Sequence, residues 1–151
     1  AEDLISVCRK KISHEPHQLS EDGSLSWEEV ECLGACSNAP MVQIGKDYYE
    51  DLSARRFGEI IDELGLGKTP VPGPQSGRFA SEPATGLTSL EGYISDRVEK
   101  NAAVQLAISH CDTVRRIDGT EFPLLTPWRS KVKKPLPKTK HDSPRKSKTA
   151  K

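Results

Sequence analysis

No apolar run in this sequence of 151 residues approaches the roughly 18 residues needed to cross a bilayer. Hydrophobic residues make up only 34% of it, and 11 glycines and 11 prolines are spread among the rest. Such a composition supports one modest core at most and indicates that part of the chain is extended. We therefore expect a soluble protein that does not insert into a membrane.

Cysteine is also scarce, because the sequence has four and only Cys32 and Cys36 lie close together. Four are too few for a secreted scaffold held by disulfides, so a reducing compartment is the better setting. The thiols are then left for metal binding, redox chemistry or burial. Ser–His–Asp patterns, phosphate-binding loops and dinucleotide glycine fingerprints are absent, so we do not expect this chain to bind NADH itself.

The net charge is zero, but its two signs are unevenly distributed. Residues 1–127 contain 12 Lys and Arg against 21 Asp and Glu, whereas residues 128–151 contain 10 against one. An acidic body thus precedes a basic tail, whose Lys, Pro and Ser composition predicts disorder. Trp128 is the one aromatic residue in that tail, so we favour a solvated tail over a nucleic-acid contact.

The first third of the body predicts a helix and a strand. Apolar residues recur at helical spacing from Glu2 to Ile12, and Cys8 lies on that stripe as a core thiol. Residues 24–32 alternate between apolar and polar side chains, with a change of phase that is typical of a β-bulge. The predicted strand leads directly into the cysteine pair.

A β-hairpin and a second helix are predicted next. Residues 41–44 and 48–50 are typical of strands, and the connection between them, residues 45–47, contains a glycine. Ser53 is a favourable cap for a helix that ends at Gly65. Helix, strand, hairpin and helix together predict a small α/β layer.

The remaining body has less regular patterns. Residues 66–90 are rich in Pro and Gly and predict an extended arm that binds a partner rather than packing on its own domain. Val71, Phe79 and Leu87 are the apolar anchors of that arm. Residues 91–127 predict a weakly helical or irregular extension.

The cysteine loop is the most informative segment. Two thiolates separated by three residues can bind the same metal ion if the loop curls, and Gly34 and Ala35 remove bulk that would prevent it. Backbone N–H groups of residues 34, 35, 37 and 38 can donate to sulfur, which helps to set a cluster's reduction potential. The same spacing also occurs in pairs of buried thiols, so the pair alone leaves both interpretations open.

Other potential ligands favour simpler interpretations. Cys111 next to His110 is best explained as a chance neighbour, and His14 and His17 flank a proline in a polar loop that predicts an exposed turn.

The run from Glu29 to Leu52, which contains VECLGACSNAPMVQIGKDYYEDL, resembles the second cysteine half of the thioredoxin-like [2Fe–2S] subunits of respiratory complex I, the small subunits associated with its flavoprotein. The likeness continues from the first helix through Ser89. It implies a thioredoxin-like ferredoxin domain over residues 1–65 and Cys32 and Cys36 as ligands of a [2Fe–2S] cluster. The protein would then be a one-electron carrier, with FMN and NADH bound only in a partner subunit.

The sequence departs from the family pattern in one respect. The family has two further cysteines, with four residues between them, just upstream of the first helix, and nothing in residues 1–151 matches them. Each iron of the cluster needs two protein ligands, so this chain supplies half of the set. Because no Met opens the chain and no residue caps the first helix, we expect a domain that is incomplete at its N-terminus.

The resemblance also implies partners and a location. The partners would be the NADH- and FMN-binding subunit of complex I and other subunits of its peripheral arm. The protein would lie in the cytoplasm, peripheral to the inner face of a bacterial plasma membrane, or on the matrix side in mitochondria. Two alternatives remain open, namely a thiol-redox or zinc-binding domain that uses the same cysteines, and an interaction module without a cluster.

Overall fold

The structure is a computed structural model that describes residues 1–94 and 97–114. These residues lie within one compact unit, Ala1–Thr120. Its elements are α1 (Glu2–Lys11), β1 (Val42–Ile44), β2 (Asp47–Glu50), α2 (Ala54–Gly65), β3 (Gly73–Pro74) and α3 (Ala102–His110), with short 3-10 turns at Cys36–Asn38 and Glu91–Tyr93. The predictions for residues 115–127 and for the basic tail lie outside the described residues.

The core forms where α1 and α2 pack against each other and against β2. Cys8 of α1 is buried in it, which confirms the predicted core thiol, and burial raises the pKa of that thiol. Ser53 Oγ accepts the N–H of Arg56 at 3.1 Å, as expected for the cap of α2. The buried members of the core are Leu4, Cys8, Tyr49, Leu52, Phe57, Ile60 and Ile61.

The strand predicted over residues 24–32 does not form, so that prediction is wrong. The amides of His17 and Ser20 donate instead to the carbonyl oxygens of Trp27 and Leu25, each at 2.8 Å, which folds this segment back on itself. Leu25 and Trp27 still pack against the core, as their alternation predicted. Without a neighbouring strand to pair with in the described part of the chain, alternation produced a buried face but no ladder.

The predicted hairpin is confirmed, and it belongs to a sheet of three strands in the order β1-β2-β3. β1 and β2 are antiparallel, and Ile44 lies opposite Asp47, so the connection is Gly45-Lys46, one residue shorter than expected. β3 is parallel to β2.

The Pro/Gly-rich arm supplies β3, so the prediction that it does not pack on its own domain is wrong. Gly73 lies opposite Tyr49 in the sheet, and the fully buried Tyr49 hydroxyl donates to the carbonyl oxygen of Pro70 at 2.8 Å. Phe79, expected to anchor on another surface, stacks under the guanidinium of Arg97, 4.5 Å from the ring centroid. The arm therefore has contacts within the chain.

Of the weak helical pattern over residues 87–111, α3 is the α-helical part within the described residues. The Asn101 side chain caps it by accepting the N–H of Val104 at 3.0 Å. Val104 is buried, whereas Leu106 and Ile108, which carried the predicted pattern, are exposed. No helix in the described segments is long and apolar enough to cross a bilayer.

Candidate functional site

Cys32 and Cys36 lie in the loop that precedes β1, and both thiols are free and exposed. Gly34, between them, has a φ of +74°, a left-handed conformation that favours glycine, and it turns the chain back toward Cys36. Cys36 then begins the 3-10 turn Cys36–Asn38. The structure thus places the two predicted ligands at the two ends of one tight loop on the surface.

One of the predicted N–H donors to sulfur is present. The amide of Gly34 donates to Cys32 Sγ at 3.4 Å. The amide of Asn38, also predicted as a donor to sulfur, instead donates to the carbonyl oxygen of Ala35 at 3.0 Å, so that prediction is wrong. Its N–H is used to close the 3-10 turn.

Tyr48 supports the first half of the loop. Its hydroxyl donates to the carbonyl oxygen of Leu33 at 2.9 Å. The alternation of Tyr48 and Tyr49 on one strand predicted that one of them is in the core, and Tyr49 is. The role of Tyr48 was missed, because its acceptor lies 15 residues away.

Asn38 ties the second half of the loop to two other segments. Its side chain is 2% exposed, and Nδ2 donates to the carbonyl oxygen of Ala80 in the arm at 3.1 Å. Its carbonyl oxygen accepts the amide of Asp51 at 2.8 Å, just beyond the end of β2. The segment after Cys36 is therefore held by both the sheet and the arm.

An ion pair between Asp51 and Arg78 completes this support. Arg78 Nε donates to Asp51 Oδ2 at 2.8 Å, and Nη2 donates both to Asp51 Oδ1 and to the carbonyl oxygen of Ser37. The Arg78 hydrogen bonds hold the pKa of Asp51 below its usual range. Arg78 is the one charged residue between positions 69 and 81, a signal that could have marked it in the sequence.

The donor set decides how much of a cluster this loop can bind. Two thiols suit one iron, whereas a [2Fe–2S] cluster takes four cysteine ligands. In the part of the chain that the structure describes, no group of three or more His, Cys, Asp or Glu side chains is arranged to hold a metal ion. Cys8 is buried in the core, and Cys111 ends α3 as an exposed residue. The loop therefore fits half of the cluster's ligand set.

Comparisons with known proteins agree with the position of this loop. Residues 1–65 match the family of thioredoxin-like [2Fe-2S] ferredoxins. The first of the E-type subunits of NADH-quinone oxidoreductase in Rhizobium meliloti (strain 1021) is 55% identical over 107 residues, which are 70% of this chain and 38% of the relative. The E-type subunit of NADH-quinone oxidoreductase in Rickettsia conorii (strain ATCC VR-613 / Malish 7) is 47% identical over 64 residues, 42% of this chain and 38% of the relative.

A mitochondrial protein is similar as well. NADH dehydrogenase [ubiquinone] flavoprotein 2 of Dictyostelium discoideum is 36% identical over 88 residues, 58% of this chain and 36% of the relative. The chain thus spans less than two fifths of the length of these three relatives.

Proposed function

Because residues 1–65 belong to the thioredoxin-like [2Fe-2S] ferredoxin family, we propose that the protein is an iron–sulfur electron-transfer subunit of an NADH–quinone oxidoreductase. The observation that carries this proposal is the loop with Cys32 and Cys36, two free, exposed thiols within the matched residues. Thiolates are the ligands that iron–sulfur clusters require. The relatives named as subunits of NADH-quinone oxidoreductase and NADH dehydrogenase support the same assignment.

The roles of individual residues follow from the loop. A bound [2Fe–2S] cluster would supply a one-electron redox centre. Cys32 and Cys36 would hold one of its irons, and two cysteines outside residues 1–151 would hold the other. The Gly34 amide stabilises negative charge on Cys32 Sγ, and Tyr48 fixes the backbone between the two ligands.

We further propose the setting of this subunit. Its partners are the NADH- and FMN-binding subunit, with the cluster near the flavin, and other subunits of the peripheral arm of complex I. The location is peripheral, on the inner face of a bacterial plasma membrane or on the matrix side in mitochondria. The match to relatives named as subunits of such complexes supports this setting.

A thiol-redox site is the second candidate function. It is favoured by the free and exposed state of both thiols in one loop, which is the accessibility that thiol–disulfide exchange needs. Such a protein would be colourless and free of iron. Visible absorption and iron content therefore distinguish it from the electron carrier.

The deciding experiment is EPR of the intact protein after reconstitution and reduction. We expect one [2Fe–2S] signal, lost in Cys32→Ser and in Cys36→Ser because an alcohol is a far poorer ligand for iron than a thiolate. Cys8→Ser is the matched control and should keep the signal, since Cys8 is buried in the core. A signal of full intensity in either loop variant would contradict the ligand assignment.

A further inference from the structure

The guanidinium of Arg78 joins three segments that are distant in sequence. Nε and Nη2 donate to the carboxylate of Asp51, Nη1 donates to the carbonyl oxygen of Glu82 at 2.8 Å, and Nη2 also reaches the carbonyl oxygen of Ser37 at 2.8 Å. Ser37 directly follows Cys36. The contact therefore links the arm to the residue beside one of the two thiols.

Asp51 fixes the plane of that guanidinium. A carboxylate that accepts from two N–H groups of one arginine leaves it little freedom to rotate. The side chains of Asp51 and Arg78 are only 9% and 15% exposed, so water competes little for their hydrogen bonds. Ser76 Oγ donates to Asp51 Oδ2 at 2.7 Å and holds the carboxylate in turn. The N–H that meets Ser37 is thus aimed before the loop forms its contact.

The neighbouring contact of Asn38 acts in the same direction. Its buried amide group donates to the carbonyl oxygen of Ala80, two residues after Arg78. The arm thus closes over the 3-10 turn that begins with Cys36 at two successive positions. The other half of the loop has a separate support, Tyr48 on Leu33.

From this geometry we propose that Arg78, oriented by Asp51, is a positioning residue for Cys36 in the metal site. Its guanidinium holds the Ser37 carbonyl, which fixes the direction in which the Cys36 thiol leaves the loop. The arm is then part of the metal site. This inference rests on the proposed function of Cys32 and Cys36 as metal ligands.

The first test needs no metal. Amide hydrogen exchange of the full chain is compared between wild type, Arg78→Gln and the control Arg55→Gln, in which an exposed arginine of α2 loses only its bond to Glu59. We expect faster exchange at Ser37 and Asn38 in Arg78→Gln alone. Exchange rates at both amides equal to those of wild type would overturn the proposal.

The second test measures the metal site with Co²⁺ alone, through the thiolate-to-cobalt charge-transfer band. Loss of a residue that orients a ligand typically weakens metal binding by 10–100-fold, so we expect Arg78→Gln to bind Co²⁺ at least about tenfold more weakly than wild type. Arg55→Gln should bind it as wild type does. Equal Co²⁺ affinity and equal band position in Arg78→Gln would overturn the positioning role.

Arg78→Lys guards against a simple loss of folding. Lysine keeps the positive charge beside Asp51 but lacks the planar fork that reaches two acceptors at once, so we expect its exchange and Co²⁺ affinity to fall between those of the other two forms. A lysine variant identical to wild type would show that charge suffices and would refute the geometric role. Protection of the buried Cys8 from alkylation reports whether each variant is folded.

The two proposals fail in different ways. Absence of Co²⁺ binding by wild type would contradict the metal site, and hydrogen exchange would still decide whether Arg78 holds the loop. Normal Co²⁺ binding by Arg78→Gln together with unchanged exchange would refute the role of Arg78 alone.

Discussion

Tyr48 donates its phenolic hydrogen to the carbonyl oxygen of Leu33, at 2.9 Å, and so ties the middle strand of the sheet to the residue that follows Cys32. Its neighbour Tyr49 points to the opposite face and donates to Pro70 in the arm. Two adjacent tyrosines of one strand thus hold two different segments. The alternation of side chains along a strand is the reason.

Tyr48→Phe is expected to loosen the cysteine loop with a modest loss of stability. The change removes one partly buried hydrogen bond, so the free energy of unfolding should fall by about 1 kcal/mol. Amide exchange at Gly34 should accelerate. Tyr49→Phe is the matched control: it should cost about 1–3 kcal/mol, because the bond it removes is fully buried, yet leave exchange at Gly34 unchanged. The opposite pattern would contradict the assigned roles.

Asp51→Asn is expected to flatten the acid limb of stability. Arg78 holds the pKa of Asp51 below its usual range in the folded protein. The carboxylate therefore contributes stability that is present above its unfolded pKa of about 3.9 and is lost as the pH falls through the lower folded value. Denaturant unfolding in steps below about pH 5 should show the difference between wild type and variant shrinking. A difference that stays constant with pH would rule out this linkage.

Gly73→Ala is expected to disturb the contact between the arm and α3. Gly73 has a φ of +89°, and an added Cβ would lie 2.5 Å from Val104 Cγ2. Gly77, with a φ of +91° and no atom within 4 Å of such a Cβ, is the control. Both variants should lose about 1–2 kcal/mol to backbone strain, and Gly73→Ala a further 1–3 kcal/mol or so to overpacking. Equal melting temperatures for the two variants would argue against the Val104 contact.

Limited proteolysis of the free chain should divide the arm into two parts. Residues 70–78 pair with β2 or are held by hydrogen bonds to Asp51, so a protease of broad specificity should cut them slowly. Residues 83–91 are largely exposed and should be cut first. Addition of the proposed NADH-binding partner should slow cleavage there. Early cleavage within residues 70–78 would contradict the packing of the arm.

The sequence determined those features that depend on neighbours a few residues apart. Ser53 begins α2 because its side chain and the amide it caps are three positions apart. Cys8 is a core thiol because helical spacing puts it on the apolar stripe of α1. The motif around Cys32 and Cys36 pointed to the family that the match of residues 1–65 confirms, and with it to the fold class.

The tertiary structure alone decided what supports the cysteine loop. Arg78 and Ser37 are 41 positions apart, and Asn38 and Ala80 are 42 apart, so no local pattern could pair them. The alternation over residues 24–32 predicted the buried face correctly but not the strand, because a strand exists only where a second one lies beside it. The arm, whose composition suggested an unstructured segment, gained order from an open edge of β2 that its own sequence does not encode.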